Sequence, residues 1–199
     1  MQKTIEVNEY NNLLSSLMML RDCLFNKELN DNKIIWSILI LHKTIHDLMI
    51  LILKDSADFN IVIDKDKKKL DDYYRRVFSN EGDFYRPIIK LDFFKSLLKK
   101  LKENKHKHYI LSENVEIFDE LFNDLVKIHN IRNENIHFFP NNKLYDYAEL
   151  KRLIQQGLKF IDTLLKNFNL IILFSEEKIH LFEEILKEIK KIEGYNLKK

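Results

Sequence analysis

Glycine and proline are nearly missing from this chain, with three Gly and two Pro in 199 residues. Sheets and tight hairpins consume both residues at their turns, so a chain this poor in them favours long helices joined by few loops. Ile, Phe and Tyr would also suit strands. The periodicity decides against strands, because apolar residues recur at 3–4 spacing, as in Leu13, Leu14, Leu17, Leu20 and Leu24. The fold class read from this pattern is all-α, a bundle of about five to six helices.

The helices expected from spacing and caps follow in order. One spans about 7–25. A second spans about 34–54, with Asn30 or Asp31 as its cap, and is apolar nearly all round, as a central bundle element should be. Its stretch 34–53 has the length of a membrane span, but His42, Lys43, His46 and Asp47 sit in the middle, where charge is most expensive in lipid. A buried core helix is the better reading, and no membrane association is expected. The segment 55–90 reads as a polar insertion with one short helix, because it carries the runs Asp64-Lys65-Asp66-Lys67-Lys68-Lys69 and Asp71-Asp72-Tyr73-Tyr74-Arg75-Arg76. A basic helix follows over about 91–102. A long helix then opens at Ser112 and runs to about 137, with Phe118, Leu121, Phe122, Leu125, Ile128 and Ile136 as its buried stripe. Asp146 caps a helix to about 168, and Ser175 precedes a last one over about 176–193. No repeat or low-complexity linker interrupts the pattern, so 1–199 reads as a single domain.

Charge and cysteine content narrow the function classes. The net charge is +2, so any contact with nucleic acid must come from a local patch. The single Cys23 excludes an internal disulfide and a cysteine-based zinc site, and fits a reducing cytoplasm. Residues 1–10 are polar and do not read as a signal peptide. No Gly-rich phosphate loop and no Gly-x-Ser-x-Gly element is present, and no cofactor is expected.

One segment carries chemistry. On a helix, Arg132, Asn133 and His137 project at roughly 0°, 100° and 140°, within one polar sector. Arg offers phosphate a fork of donors, His can move a proton near neutral pH, and Asn can orient either one. These are the parts needed to cleave RNA without a metal. Read by spacing alone, the same residues also suit a solvated arginine and a histidine satisfying helix carbonyls.

Arg132-Asn133-x-x-x-His137 resembles the Arg-x4-His motif of the HEPN superfamily, the helical ribonucleases of toxin–antitoxin, abortive-infection and CRISPR-linked systems. The run from Leu125 to Pro140 resembles the RN-x-x-IHF-x-P signature of a bacterial HEPN family of about this length. The run from Trp36 to Met49 resembles that family's second helix, W…LH-x-A-(I/L)-x-x-(F/L)M, with Thr44 in place of Ala. The resemblance covers roughly 33–165, and the insertion does not align with it. Many such toxins carry, two residues after the His, a Tyr to which a partner nucleotidyltransferase attaches AMP. Phe139 stands here without a hydroxyl.

The resemblance implies a HEPN-like helical bundle and a metal-independent endoribonuclease of toxin or phage-defence type, working as a homodimer with a composite cleft. It implies Arg132 and His137 as catalytic residues with Asn133 beside them, RNA as substrate, and a product with a 2',3'-cyclic phosphate and a 5'-hydroxyl. An antitoxin or defence-system protein is the further partner it suggests. The alternative is a non-catalytic HEPN-like module for dimerisation or partner docking, since fold does not fix function.

Two weaker groups accompany the motif. Lys99, Lys100, Lys102, Lys105 and Lys107 form the densest basic cluster, a candidate RNA-binding surface, although such runs are commonly just solvated. His42 and His46 are i and i+4 on one helix. With no third ligand at a recognisable spacing they suggest no metal, and they are candidate cleft-lining residues because this helix packs by the motif helix in the family.

Overall fold

The most apolar helix of the chain takes the centre, because only full burial removes all of its sides from water. In the computed structural model, which describes residues 8–25, 33–54, 56–80, 85–103, 115–136, 143–167 and 176–194, that helix is α2 (Lys33–Leu53). Around it stand α1 (Glu9–Phe25), α4 (Phe94–Lys102), α5 (Asp119–Ile136) and α6 (Tyr147–Lys166), all packed on α2. The charged α3 (Asp64–Ser79) lies between α2 and α4 in sequence, and α7 (Glu176–Gly194) packs on α1 and α6. By length and composition α2 could cross a membrane, yet most of its apolar window is buried inside this bundle. The described residues form no strand beyond the isolated antiparallel bridge between Val62 and Leu91.

Each helix buries the face its spacing marks. Leu13, Leu17 and Leu20 of α1 meet Ile38, Leu41, Ile45 and Leu48 of α2 in one core. Leu150, Leu153, Leu158, Ile161 and Leu164 of α6 close that core from another side. A close helix crossing is made at Gly157, where an added Cβ would lie 2.6 Å from Leu41 Cδ2, so only a bare α-carbon fits without moving Leu41. Asp146 caps α6 as expected, its carboxylate accepting from the Ala148 N–H at 2.9 Å.

Four expectations change. The described residues hold seven helices rather than five or six, because the supposed insertion contains α3, a full 16-residue helix. Its charges pair along its own surface, Asp64 with Lys67, Asp66 with Lys69 and Asp71 with Arg75, and it ends on Asn80 in the left-handed region at φ 56°. The basic helix begins at Phe94 rather than about 91, since Leu91 is committed to the bridge and the Asp92 carboxylate takes the Phe93 N–H and the Ser96 hydroxyl. The motif helix begins at Asp119, well after Ser112. Val115 and Ile117 are buried ahead of it, and Asp119 and Glu120 supply the negative charge its first turn favours. Phe118, just outside that start, and Ile136, at the last helical residue, are exposed instead of buried. Residues 7, 30, 31, 112, 168 and 175, named above as helix limits or caps, lie outside the described residues.

An ion pair between a buried carboxylate and a half-exposed arginine locks α5 to α6. Asp124 is 4% exposed and receives both terminal nitrogens of Arg152, at 2.7 and 2.6 Å. Arg152 also binds Glu149, which with help from Lys127 is held at a pKa of about 2. Removing the arginine strands the buried Asp124 carboxylate. Arg152→Leu should therefore destabilise the fold by about 1–2 kcal/mol in urea denaturation, and Asp124→Leu in the same chain should recover much of that loss.

Candidate functional site

Arg132 and Asn133 stand near the C-terminal end of α5, both half-buried, and the side chains touch: the Arg132 guanidinium donates to Asn133 Oδ1 at 2.9 Å. No carboxylate among the described residues pairs with Arg132. His137 lies outside the described residues, as do Lys105 and Lys107. The chain after 142 returns to the same helix end. Tyr145 donates to Glu134 at 3.0 Å and receives Asn135 at 3.0 Å, while Lys143 pairs with Glu134 at 2.9 Å. Burial and the neighbouring Glu134 raise the Tyr145 hydroxyl above its ordinary pKa, so it stays protonated as a donor.

Behind Asn133 lies a group of aromatic rings drawn from three helices. Asn133 Nδ2 is 2.9 Å from His129 Nε2, and His129 Nδ1 is 3.0 Å from His42 Nε2 on α2. Phe94 of α4 lies against both imidazoles, with centroids 4.3 Å from His42 and 5.1 Å from His129. His46, one turn along α2, completes the group with its centroid 6.2 Å from that of His42. It hydrogen-bonds the backbone carbonyl of Asp92, while its buried Nε2 has no partner among the described residues.

The three imidazoles are neutral for one main reason, burial, which penalises the charged ring. Burial, then the neighbouring His129, His46 and Arg132, push His42 down to about 3. Burial also lowers His46, against the opposing pull of the Asp92 carbonyl and Asp47. Burial, then Lys95, Arg132 and His46, lower His129. Neutral rings pose no barrier to metal binding, but no group of three or more His, Cys, Asp or Glu side chains among the described residues could hold an ion.

The arrangement separates two kinds of work. Arg132 offers a positive charge fixed in direction by Asn133, suited to a phosphate. His129 uses both ring nitrogens inside the fold, and the one unpartnered nitrogen of His46 is buried, so these rings hold position rather than exchange protons with a substrate.

The residues singled out by sequence are thus partly brought together. His42 stands two hydrogen bonds from Asn133, and His46 lies beside it. The link between them, His129, carried no assigned role, although it stands four residues before Asn133 on the same helical face, a spacing that could have found it. Of the basic cluster of α4, Lys100 is drawn into the fold, while Lys99 and Lys102 make ion pairs at the surface. Lys100 binds Asp92 at 2.7 Å and the Asn60 carbonyl at 2.8 Å, Lys102 pairs with Asp119, and Lys99 reaches Glu103 at 3.7 Å. An apolar pocket lined by Cys23, Ile34, Ser37, Tyr147 and Ile154 lies between α1, α2 and α6, and none of these rings lines it. No protein-family model, no curated protein and no solved structure matches the chain.

The His42 shift has a stability consequence with a definite sign. The folded state holds His42 unprotonated down to about 3, whereas the unfolded chain takes its proton near the ordinary 6.5. The stabilisation is complete above about 6.5 and is lost as pH falls toward 3, at up to about 1.4 kcal/mol per unit. His42→Phe should therefore lose less stability on acidification from pH 7 to pH 4 than the parent does. Parallel urea-midpoint curves for the two proteins would contradict this.

Proposed function

We propose that the chain is a HEPN-like, metal-independent endoribonuclease of toxin or phage-defence type, acting in the cytoplasm as a single-domain homodimer. The observation that carries this reading is the Arg132 guanidinium. It is held by Asn133 at the end of α5, with no carboxylate to neutralise it among the described residues. An arginine oriented by a neutral amide, with no carboxylate partner among the described residues, is what a phosphate-binding site needs. The all-helical fold and the packing of α2 against α5 agree with the order of the two motifs on which the resemblance rests.

In this reading Arg132 binds the scissile phosphate and stabilises the charge that builds on its oxygens. His137 is the general acid or base. The ribose 2'-oxygen loses its proton and attacks phosphorus, the bond from phosphorus to the 5'-oxygen breaks, and that oxygen is protonated as it leaves. The products are a 2',3'-cyclic phosphate and a 5'-hydroxyl. His42 and His129 are occupied in hydrogen bonds with each other and with Asn133, and in this reading the proton transfer falls to His137.

Cleavage of total RNA and tRNA by purified protein in EDTA tests the proposal. The parent protein should cleave, while Arg132→Ala and His137→Ala should each lose activity by at least about 100-fold and keep their helical circular dichroism. Equal behaviour of parent and variants would discard the catalytic reading and favour the docking module.

A further inference from the structure

We propose that His42 and His129 are positioning residues for Arg132, joined to it in a directed hydrogen-bond chain that reaches from the core helix α2 to the end of α5. The direction follows from the arginine. A guanidinium can only donate. Its bond to Asn133 therefore fixes the amide with Oδ1 toward Arg132 and Nδ2 toward His129. The His129 Nε2 facing that amide must accept, so the ring carries its hydrogen on Nδ1. Nδ1 faces His42 Nε2 at 3.0 Å, which must accept in turn. His42 is then the Nδ1–H tautomer as well. Reversing the imidazole link would set His129 Nε2–H against the Asn133 amino group, and flipping the amide to relieve this would set that amino group against the guanidinium, two donors facing each other in either case.

The rest of the site supports this chain. Phe94 lies nearly parallel to His129, at 13°, and against His42, which limits how far either ring can turn. His42 is 6% exposed, so its nitrogen has little access to water as a substitute partner. Asn133 alone is a short side chain at a helix end. With His129 and His42 behind it, the direction of the guanidinium is referred to the most deeply buried helix of the bundle.

Two measurements test this, and they fail independently. The first is long-range 1H–15N NMR of the full chain labelled in histidine, at pH 7. His42 and His129 should both appear as neutral Nδ1–H tautomers, and Arg132→Met, which removes the constraint, should move both toward a mixture with the Nε2–H form. An Nε2–H tautomer at His129 in the parent, or spectra unchanged by Arg132→Met, would overturn the proposal.

The second measurement rests on the nuclease reading. His42→Gln keeps an acceptor the same number of bonds from the backbone, whereas His42→Phe fills the site without one. His42→Phe should lower kcat for RNA cleavage about tenfold, and His42→Gln should recover most of it. Equal kcat values for two folded variants would refute a positioning role. If the parent protein cleaves no RNA, the nuclease reading fails, and the tautomers still decide whether the chain of bonds exists.

Discussion

Everything in this bundle depends on the burial of α2. A helix apolar on nearly all sides is stable only when other helices cover it, and α1, α4, α5 and α6 do so. Covering most of it creates a second constraint. The polar residues on its covered faces are taken out of water with the rest and need partners inside. Ser37 and Thr44 satisfy this locally by bonding the carbonyl four residues back. His42 cannot, and it reaches across to α5. The candidate site is thus built on the solution to a burial problem in the core.

The fold class, the order of the helices and the core faces were legible in the sequence because they rest on periodicity, which one helix displays by itself. Leu13, Leu17 and Leu20 need no knowledge of their partners to be read as a buried stripe. The departures arise where a long-range contact overrides local preference. Leu91 could continue a helix, yet it pairs with Val62, 29 residues earlier in the chain. The segment of α3 is so charged that it reads as solvent-bound. It buries little beyond Leu70 and Asp66, and its helix is supported instead by ion pairs along its surface. Phe118 follows the apolar rhythm of α5, but the helix begins one residue too late to bury it.

The site was legible only in part, for a related reason. Arg132 and Asn133 stand out because they are polar neighbours at a helix end. His42 and His46 stand out because they interrupt an apolar run. His129 does neither, since a histidine among Lys127, Asn130 and Asn133 on a mixed helix looks ordinary. Its role comes from the meeting of two helices, and the sequence of either one contains only half of it. The lysines of α4 show the converse. Sequence displays their charge density without showing that the carboxylate of Asp92 and the carbonyl of Asn60 hold Lys100 while Lys99 stays at the surface.

Asp92 ties these two halves of the molecule together. Its backbone carbonyl holds His46, while its carboxylate holds Lys100, Ser96 and the Phe93 N–H at the start of the helix that carries Phe94. One residue thereby links the basic cluster to the imidazoles. A charge-reversal scan across the lysines would mix two different effects. Neutralising Lys99, at the surface, alters only the long-range field, and its influence fades as ionic strength rises. Neutralising Lys100 loosens the platform beneath Phe94, a mechanical defect that added salt does not mask. Ionic strength is therefore the variable that separates a lysine attracting a polyanion from a lysine holding the architecture upright.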